Sequence, residues 1–240
     1  MRPLAWLARR ASSIYGEEGT RGVLRGVLRH ARWRLSRLAR IRYWYVYRYP
    51  ITQFDVEQFR PAVEHLEVRV VESPADCDLL AAEGYQDPRA MVRSLERRLA
   101  AGATMVAAFV SGKLAYMGWI ATTEQAKRSF DSLPYRVDFD DGEAATGGAL
   151  TMPAYRGLGL YRYVFGHELE YLRRKGRTVC CNYIPVDNYA SQRGQAVHQA
   201  LVCARARHVR LLWFQWWTEW PMSGSCPSLC RGVSDRGNSG

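Results

Sequence analysis

Met152–Tyr161 reads MPAYRGLGLY, and the reading of the whole chain turns on it. The residues before it, Glu143–Met152 (EAATGGALTM), fit a β-strand. Pro153–Arg156 fits a turn, and Leu158–Arg174 fits an amphipathic helix closed by Lys175–Gly176. Gly157 and Gly159 therefore stand between a strand and a helix. Without side chains there, a bound group can touch the backbone, and the first N–H groups of a helix have no partner four residues back. The pattern predicts an anion cradle to which Arg156 adds charge-assisted hydrogen bonds. The stretch lacks the G-K-[ST] of a P-loop. It also lacks the third glycine of the dinucleotide fingerprint, because Tyr161 and Arg162 follow Gly159. A tight structural turn would use the two glycines equally well.

Upstream, His65–Val71 reads as a strand, Ser73–Glu83 as a short capped helix and Pro88–Ala100 as a helix with proline in its first turn. Thr104–Val110 and Lys113–Thr122 are apolar runs separated by Ser111–Gly112, a link so short that it implies an antiparallel hairpin. The polar stretch 124–143 reads as a loop with room for a short helix. Downstream, Arg177–Tyr183 reads as a strand, Asn188–Ala200 as a helix capped by Asn188 or Asp187, and Leu201–His208 with Arg210–Trp217 as a final strand pair. This order predicts an α/β domain built on a mixed, mostly antiparallel sheet with helices on both faces. It is not the even strand–helix alternation of a doubly wound fold.

Size and composition agree with one domain plus appendages: 240 residues, 48% hydrophobic and 24% charged. They exclude a wholly disordered chain, a collagen-like fibre and a small disulfide scaffold. The formal charge of +11 is unevenly spread. Residues 1–48 hold 12 Arg and no Lys, with Glu17 and Glu18 as their only acids. That segregation favours a basic appendage over a nucleic-acid-binding surface. Val23, Leu24, Val27, Leu28, Ala31, Leu35, Leu38 and Ile41 recur at helical spacing among the arginines. This is an amphipathic pattern suited to an anionic membrane surface or to packing on the main domain. Arg42–Pro50 (RYWYVYRYP) reads as an extra strand, a lid over a pocket or an extension of the interfacial segment.

The expected division is a basic leader with its aromatic segment over 1–50, the α/β domain over 51–220 and a Gly/Ser-rich disordered tail over 221–240. No secretory signal is apparent, and the six Cys match no metal-ligand spacing. The expected location is the cytoplasm, with contact at the inner face of the membrane as an option.

Pro153-Ala154-Tyr155-Arg156-Gly157-Leu158-Gly159-Leu160 resembles the acyl-CoA-binding segment of the GNAT (GCN5-related) N-acetyltransferase superfamily, which runs roughly [RQ]-x-x-G-x-[GA]. Asn188-Tyr189-Ala190-Ser191-Gln192-Arg193 resembles that superfamily's Asn-x-x-Ser-x-Arg. The resemblance covers about residues 65–217, since the spacing of the two motifs and the surrounding strand order also match. The resemblance implies transfer of an acetyl or other acyl group from acyl-CoA to a small-molecule or peptide amine. It implies an acyl-CoA wedged between the strands Ala144–Met152 and Arg177–Tyr183. Backbone near Leu150, Thr151 and Met152 would pair with the pantetheine arm. The amides of Arg156, Gly157, Leu158, Gly159 and Leu160 would hold the pyrophosphate, and Asn188 would assist nearby. The chemistry then asks for a base, for which Glu143 is the first candidate and Asp141 the second. An acid is also needed. Gln195 occupies the position where many members place a tyrosine, which leaves Tyr189, Tyr183 or His198. The rival readings are a non-catalytic CoA-binding or membrane-associated accessory protein and an aminoacyl-tRNA-dependent transferase of related fold.

Overall fold

A computed structural model describes residues 39–53, 55–92, 94–198 and 200–222. Most of the predicted basic helix and nearly all of the predicted tail lie outside the described residues. The chain falls into two compact units, Met1–Arg42 with His208–Trp216, and Tyr43–Arg207 with Trp217–Gly240.

The described residues form one mixed, mostly antiparallel sheet. Its strands are β1 (Ala39–Pro50), β2 (Leu66–Val71), β3 (Thr104–Val110), β4 (Lys113–Ala121), β5 (Glu143–Thr151), β6 (Val179–Pro185), β7 (Leu201–Leu211) and β8 (Phe214–Pro221). They lie in the order β2-β3-β4-β5-β6-β1-β7-β8. The helices are α1 (Pro74–Ala82), α2 (Leu95–Ala100), α3 (Glu124–Phe130), α4 (Leu160–Arg174) and α5 (Tyr189–Ala196).

The two-residue periodicity of the strands sorts the core into two layers. From β3, Met105, Ala107 and Phe109 join Leu80, Leu95, Leu99 and Ala126 of α1, α2 and α3 on one face. Val106 and Ala108 join Leu160, Val164, Phe165, Leu169 and Leu172 of α4 on the other. Strands covered on both faces read as continuous apolar runs, as β3 and β4 do. The β3–β4 link turns through positive φ at both Ser111 (48°) and Gly112 (75°), the backbone that a two-residue hairpin with native twist demands.

One open reading resolves and two expectations change. Arg42–Pro50 takes the first of its readings: β1 is an interior strand, antiparallel to β6 from Trp44↔Pro185 to Pro50↔Val179. Its alternation explains the odd composition. Tyr45, Tyr47 and Tyr49 share the α4 face, the last two with stacked rings 6.3 Å apart. Val46 and Arg48 point to the opposite face by the same alternation. Pro88–Ala100 is also not one helix. A 3-10 turn over Pro88–Ala90 is followed by α2, and Val92, Leu95 and Leu99 all enter the core. Finally, Arg210–Trp217 is not one strand but contains a turn at Leu212–Trp213, where φ of Leu212 is 55°. No glycine or asparagine marks that turn, so the sequence hid it.

Arg48 reaches across the intervening β6 to form a buried ion pair with Glu143 at the start of β5, the two side chains 11% and 12% exposed. Arg48→Met should strand the Glu143 carboxylate in the interior. Urea unfolding should then show a loss of about 3–5 kcal/mol, against a much smaller loss if the pair were solvated.

Candidate functional site

β5 and β6 run parallel, but only briefly. Their register is Glu143↔Val179, Ala144↔Cys180 and Ala145↔Cys181. Beyond that point each strand stays with its other neighbour. β5 follows β4 to Thr151↔Tyr116, and β6 follows β1 to Trp44↔Pro185. The sheet therefore forks.

Local sequence makes the fork possible. The β4–β5 register shifts between Met117 and Trp119. Opposite that shift, Gly148 sits at φ 59°, where an added Cβ would stand 3.0 Å from the Trp119 ring. A bulge of this kind bends its strand, and here it carries β5 away from β6.

The residues freed by the bend are accessible. Gly148, Ala149 and Leu150 are exposed, whereas Glu143–Thr146 are buried. The Met152 amide donates to the Ala115 carbonyl of β4 at 2.9 Å. Strand alternation turns the backbone groups of Thr151 and Ala149 the other way, towards the fork. The Thr151 carbonyl does accept from Arg156 Nε, at 3.3 Å.

At the mouth of the fork the chain makes a 3-10 turn over Pro153–Tyr155 and then the glycine turn into α4. Gly157 and Gly159 both take positive φ, 79° and 82°. A Cβ on Gly157 would meet no atom within 4 Å, so the glycine is required by backbone conformation and its surroundings are open. Over Gly159 stands the Arg162 side chain, Nε 3.3 Å from where a Cβ would lie. Arg156, Gly157 and Leu158 are exposed, while Met152 and Leu160 are buried and anchor the turn. Unpaired helix amides lie beside two arginines here, a combination that fits a phosphate-bearing ligand.

The floor of the fork is polar and buried. Asn182 of β6 donates to Thr146 Oγ1 of β5 at 3.1 Å, immediately beyond the last paired residues. Thr146 also lies 3.4 Å from the Cys180 thiol. On the same face Gln195 of α5, fully buried, accepts from the Tyr49 hydroxyl and donates to the Tyr161 hydroxyl. Glu168, from the middle of α4, is 2% exposed and presses against Gly118, where a Cβ would collide with Oε1. Burial pushes its carboxyl well above the usual carboxylate range, which favours the neutral form.

The sequence-predicted residues fall into three groups. Leu150, Thr151, Met152, Arg156, Gly157, Leu158, Gly159 and Leu160 come together along the free edge of β5 and the α4 turn. Asn188 and Tyr189 begin α5, just past the end of β6. The Asn188 side chain caps that helix, accepting from the Ser191 amide at 3.2 Å, and Tyr189 is 66% exposed. Glu143 stands apart, at the paired end of the fork. One oxygen holds Arg48 and the other accepts the Asp138 amide at 2.8 Å. Asp141 is exposed in the turn before β5. Sequence reasoning passed over Thr146, Glu168 and Asn182. A carboxylate inside an otherwise apolar helix face was the available signal for Glu168. Hollows of about 330 and 510 Å³ meet at Thr122 and Arg177, away from the glycine turn.

No protein-family model matches the sequence, and no curated protein matches it as a relative. Solved structures do show similarity in fold. An acetyltransferase from the GNAT family of Colwellia psychrerythraea has a TM-score of 0.47 at 12% identity, covering 72% of this chain and 57% of that one. A GCN5-related N-acetyltransferase from Sphaerobacter thermophilus gives 0.44 at 13%, covering 87% and 59%. A Drosophila protein gives 0.45 at 12%, covering 77% and 57%. This chain thus spans less than two thirds of the length of each of these three structures.

The buried Glu168 carries a pH signature. Its folded-state pKa is raised, so the native state holds a proton that the unfolded chain releases above the normal glutamate range. Its contribution to stability is full below about pH 4.5 and is lost as pH rises towards the folded value. Glu168→Gln should remove this loss. In urea unfolding at pH 5 and pH 8, the variant should gain stability relative to the parent at the higher pH. A difference independent of pH would refute the buried neutral acid.

Proposed function

We propose that this chain is an acyl-CoA-dependent N-acyltransferase of the GNAT type, moving an acetyl or other acyl group to a small-molecule or peptide amine. The observation that carries the reading is the fork between β5 and β6 with the Gly157–Gly159 turn at its mouth. A fork alone is a packing defect and a glycine turn alone is a helix start. Together they offer an extended ligand an unpaired strand edge that leads directly to an anion cradle.

In this reading the backbone of Ala149 and Thr151 pairs with the amide-bearing arm of the donor. The amides of Gly157, Leu158, Gly159 and Leu160 receive its diphosphate, with Arg156 and Arg162 supplying charge. Leu150, exposed at the edge, lies against the apolar part of the arm. The donor supplies an activated thioester carbonyl, and the protein holds an amine against it, where positioning provides much of the rate. A β5 amide aimed into the fork is placed to stabilise the developing oxyanion. Glu143 has both oxygens engaged at the closed end, so amine deprotonation passes to water in the open fork. Tyr189 is the hydroxyl this reading offers to the departing thiolate.

One observation favours a second reading, a CoA-binding protein without turnover: Gln195 fills its site completely and brings no acid to the fork.

The test replaces Gly157 and Gly159 together with valine. Both positions have positive φ, so the amides should leave the cradle geometry while circular dichroism remains native. Charge-assisted hydrogen bonds contribute about 1.5–3 kcal/mol each. Acyl-CoA affinity measured by calorimetry should therefore fall by at least about a hundredfold. Unchanged affinity would defeat both readings. Parent affinity without thiol release across an amine panel would select the non-catalytic one.

A further inference from the structure

The smaller unit presents a surface that a water-soluble hairpin has no reason to carry. Its described part is the start of β1 (Arg40, Ile41, Arg42) and the β7–β8 tip, His208–Trp216. Leu212 and Trp213 form the turn itself, at positions where glycine and asparagine are the ordinary choice. Leu212 takes its left-handed φ of 55° despite the side-chain penalty. Trp213 is 76% exposed, Phe214 54% and Trp216 49%. Phe214 and Trp216 stack in parallel with ring centroids 5.8 Å apart, and Trp213 tilts against Phe214 at 5.7 Å. The three rings therefore make one contiguous apolar patch.

The charge around that patch has one sign. Arg40, Arg42 and Arg210 are exposed, and no acidic residue occurs in 39–54 or in 201–218. A second copy of the same surface would set arginine against arginine. Flat stacking grooves for single-stranded nucleic acid use rings, whereas this tip adds the aliphatic side chains of Leu211, Leu212 and Ile41. Bulky aromatics at a projecting turn, bordered by arginine, match the boundary between anionic headgroups and acyl chains.

We propose that the β7–β8 hairpin tip docks on an anionic lipid bilayer, inserting Trp213, Phe214 and Trp216 into the headgroup–acyl boundary while the neighbouring arginines meet the headgroups. This is separate from the acyltransferase reading and does not depend on it.

The test uses the full chain with vesicles of phosphatidylcholine containing about one third phosphatidylglycerol, some carrying brominated acyl chains as fluorescence quenchers. The parent should co-sediment, and its tryptophan emission should be quenched. The triple variant Trp213→Ser, Phe214→Ser, Trp216→Ser should bind at least about tenfold more weakly and lose the quenching. Its circular dichroism should stay native. Leu212→Gly, which relieves the turn, is the second variant. It should fold at least as well as the parent and still bind more weakly. Equal binding by parent and triple variant would overturn the proposal. So would a parent dimer, formed without lipid, that the triple variant abolishes. Binding of an RNA oligonucleotide with no vesicle binding would also overturn it.

Discussion

The structure depends on where β5 and β6 stop being partners. Parallel strands gain one hydrogen-bonding neighbour on each side, and giving one up midway exposes amides and carbonyls that must find other partners. Here the loss is limited to a few residues. β5 keeps β4 from Ala145 to Thr151 on either side of the bulge at Gly148–Ala149, and β6 keeps β1, so beyond the fork each strand loses one edge rather than both. The insertion of β1 is what makes this tolerable. Without an antiparallel partner, β6 beyond Cys181 would be held on neither side.

Polar groups gather beneath the opening because the opening creates the need for them. Thr146 and Asn182 bond to one another where the backbones have separated too far to do so. Gln195, Tyr49 and Tyr161 satisfy one another between α4, α5 and β1. Glu168 completes this buried layer only as a neutral acid, since a charge without a cationic partner at that depth would be prohibitive. Gly118 and Gly194 are the sites where the layer presses hardest. At each of them an added Cβ would strike a polar side chain of α4, Glu168 or Tyr161.

Where periodicity was strong, the fold was legible in the sequence. The β3–β4 hairpin, α4 and the glycine turn all appear close to their predicted positions, because apolar spacing and positive-φ glycines are local signals. β1 was ambiguous for a physical reason. Its neighbours in the sheet are β6 and β7, more than a hundred residues distant, and nothing near Tyr43–Tyr49 says which partner will cover those rings. The β7–β8 turn was missed because its residues obey no turn preference. The glycine turn into α4 was readable as a motif. The floor of the fork was not, since Thr146, Asn182 and Glu168 are ordinary residues until tertiary packing makes them neighbours.

Glu143 shows most clearly how position changes meaning. In the sequence it is a carboxylate leading into the strand that carries the glycine-rich bend, a natural candidate for a base. In the structure it belongs to the closed end of the fork. Arg48 starts on β1, crosses β6 beside the Cys181 thiol and meets Glu143 on β5. That one ion pair spans three strands at the level where β5 and β6 are still joined. A fork that must stay open at one end needs its other end fixed, or the separation would run down the sheet. Burying both charges is costly unless each is satisfied, and the Asp138 amide supplies the second bond that Glu143 requires. Glu143 is therefore held at the closed end, at the opposite end of the same strand from the open fork.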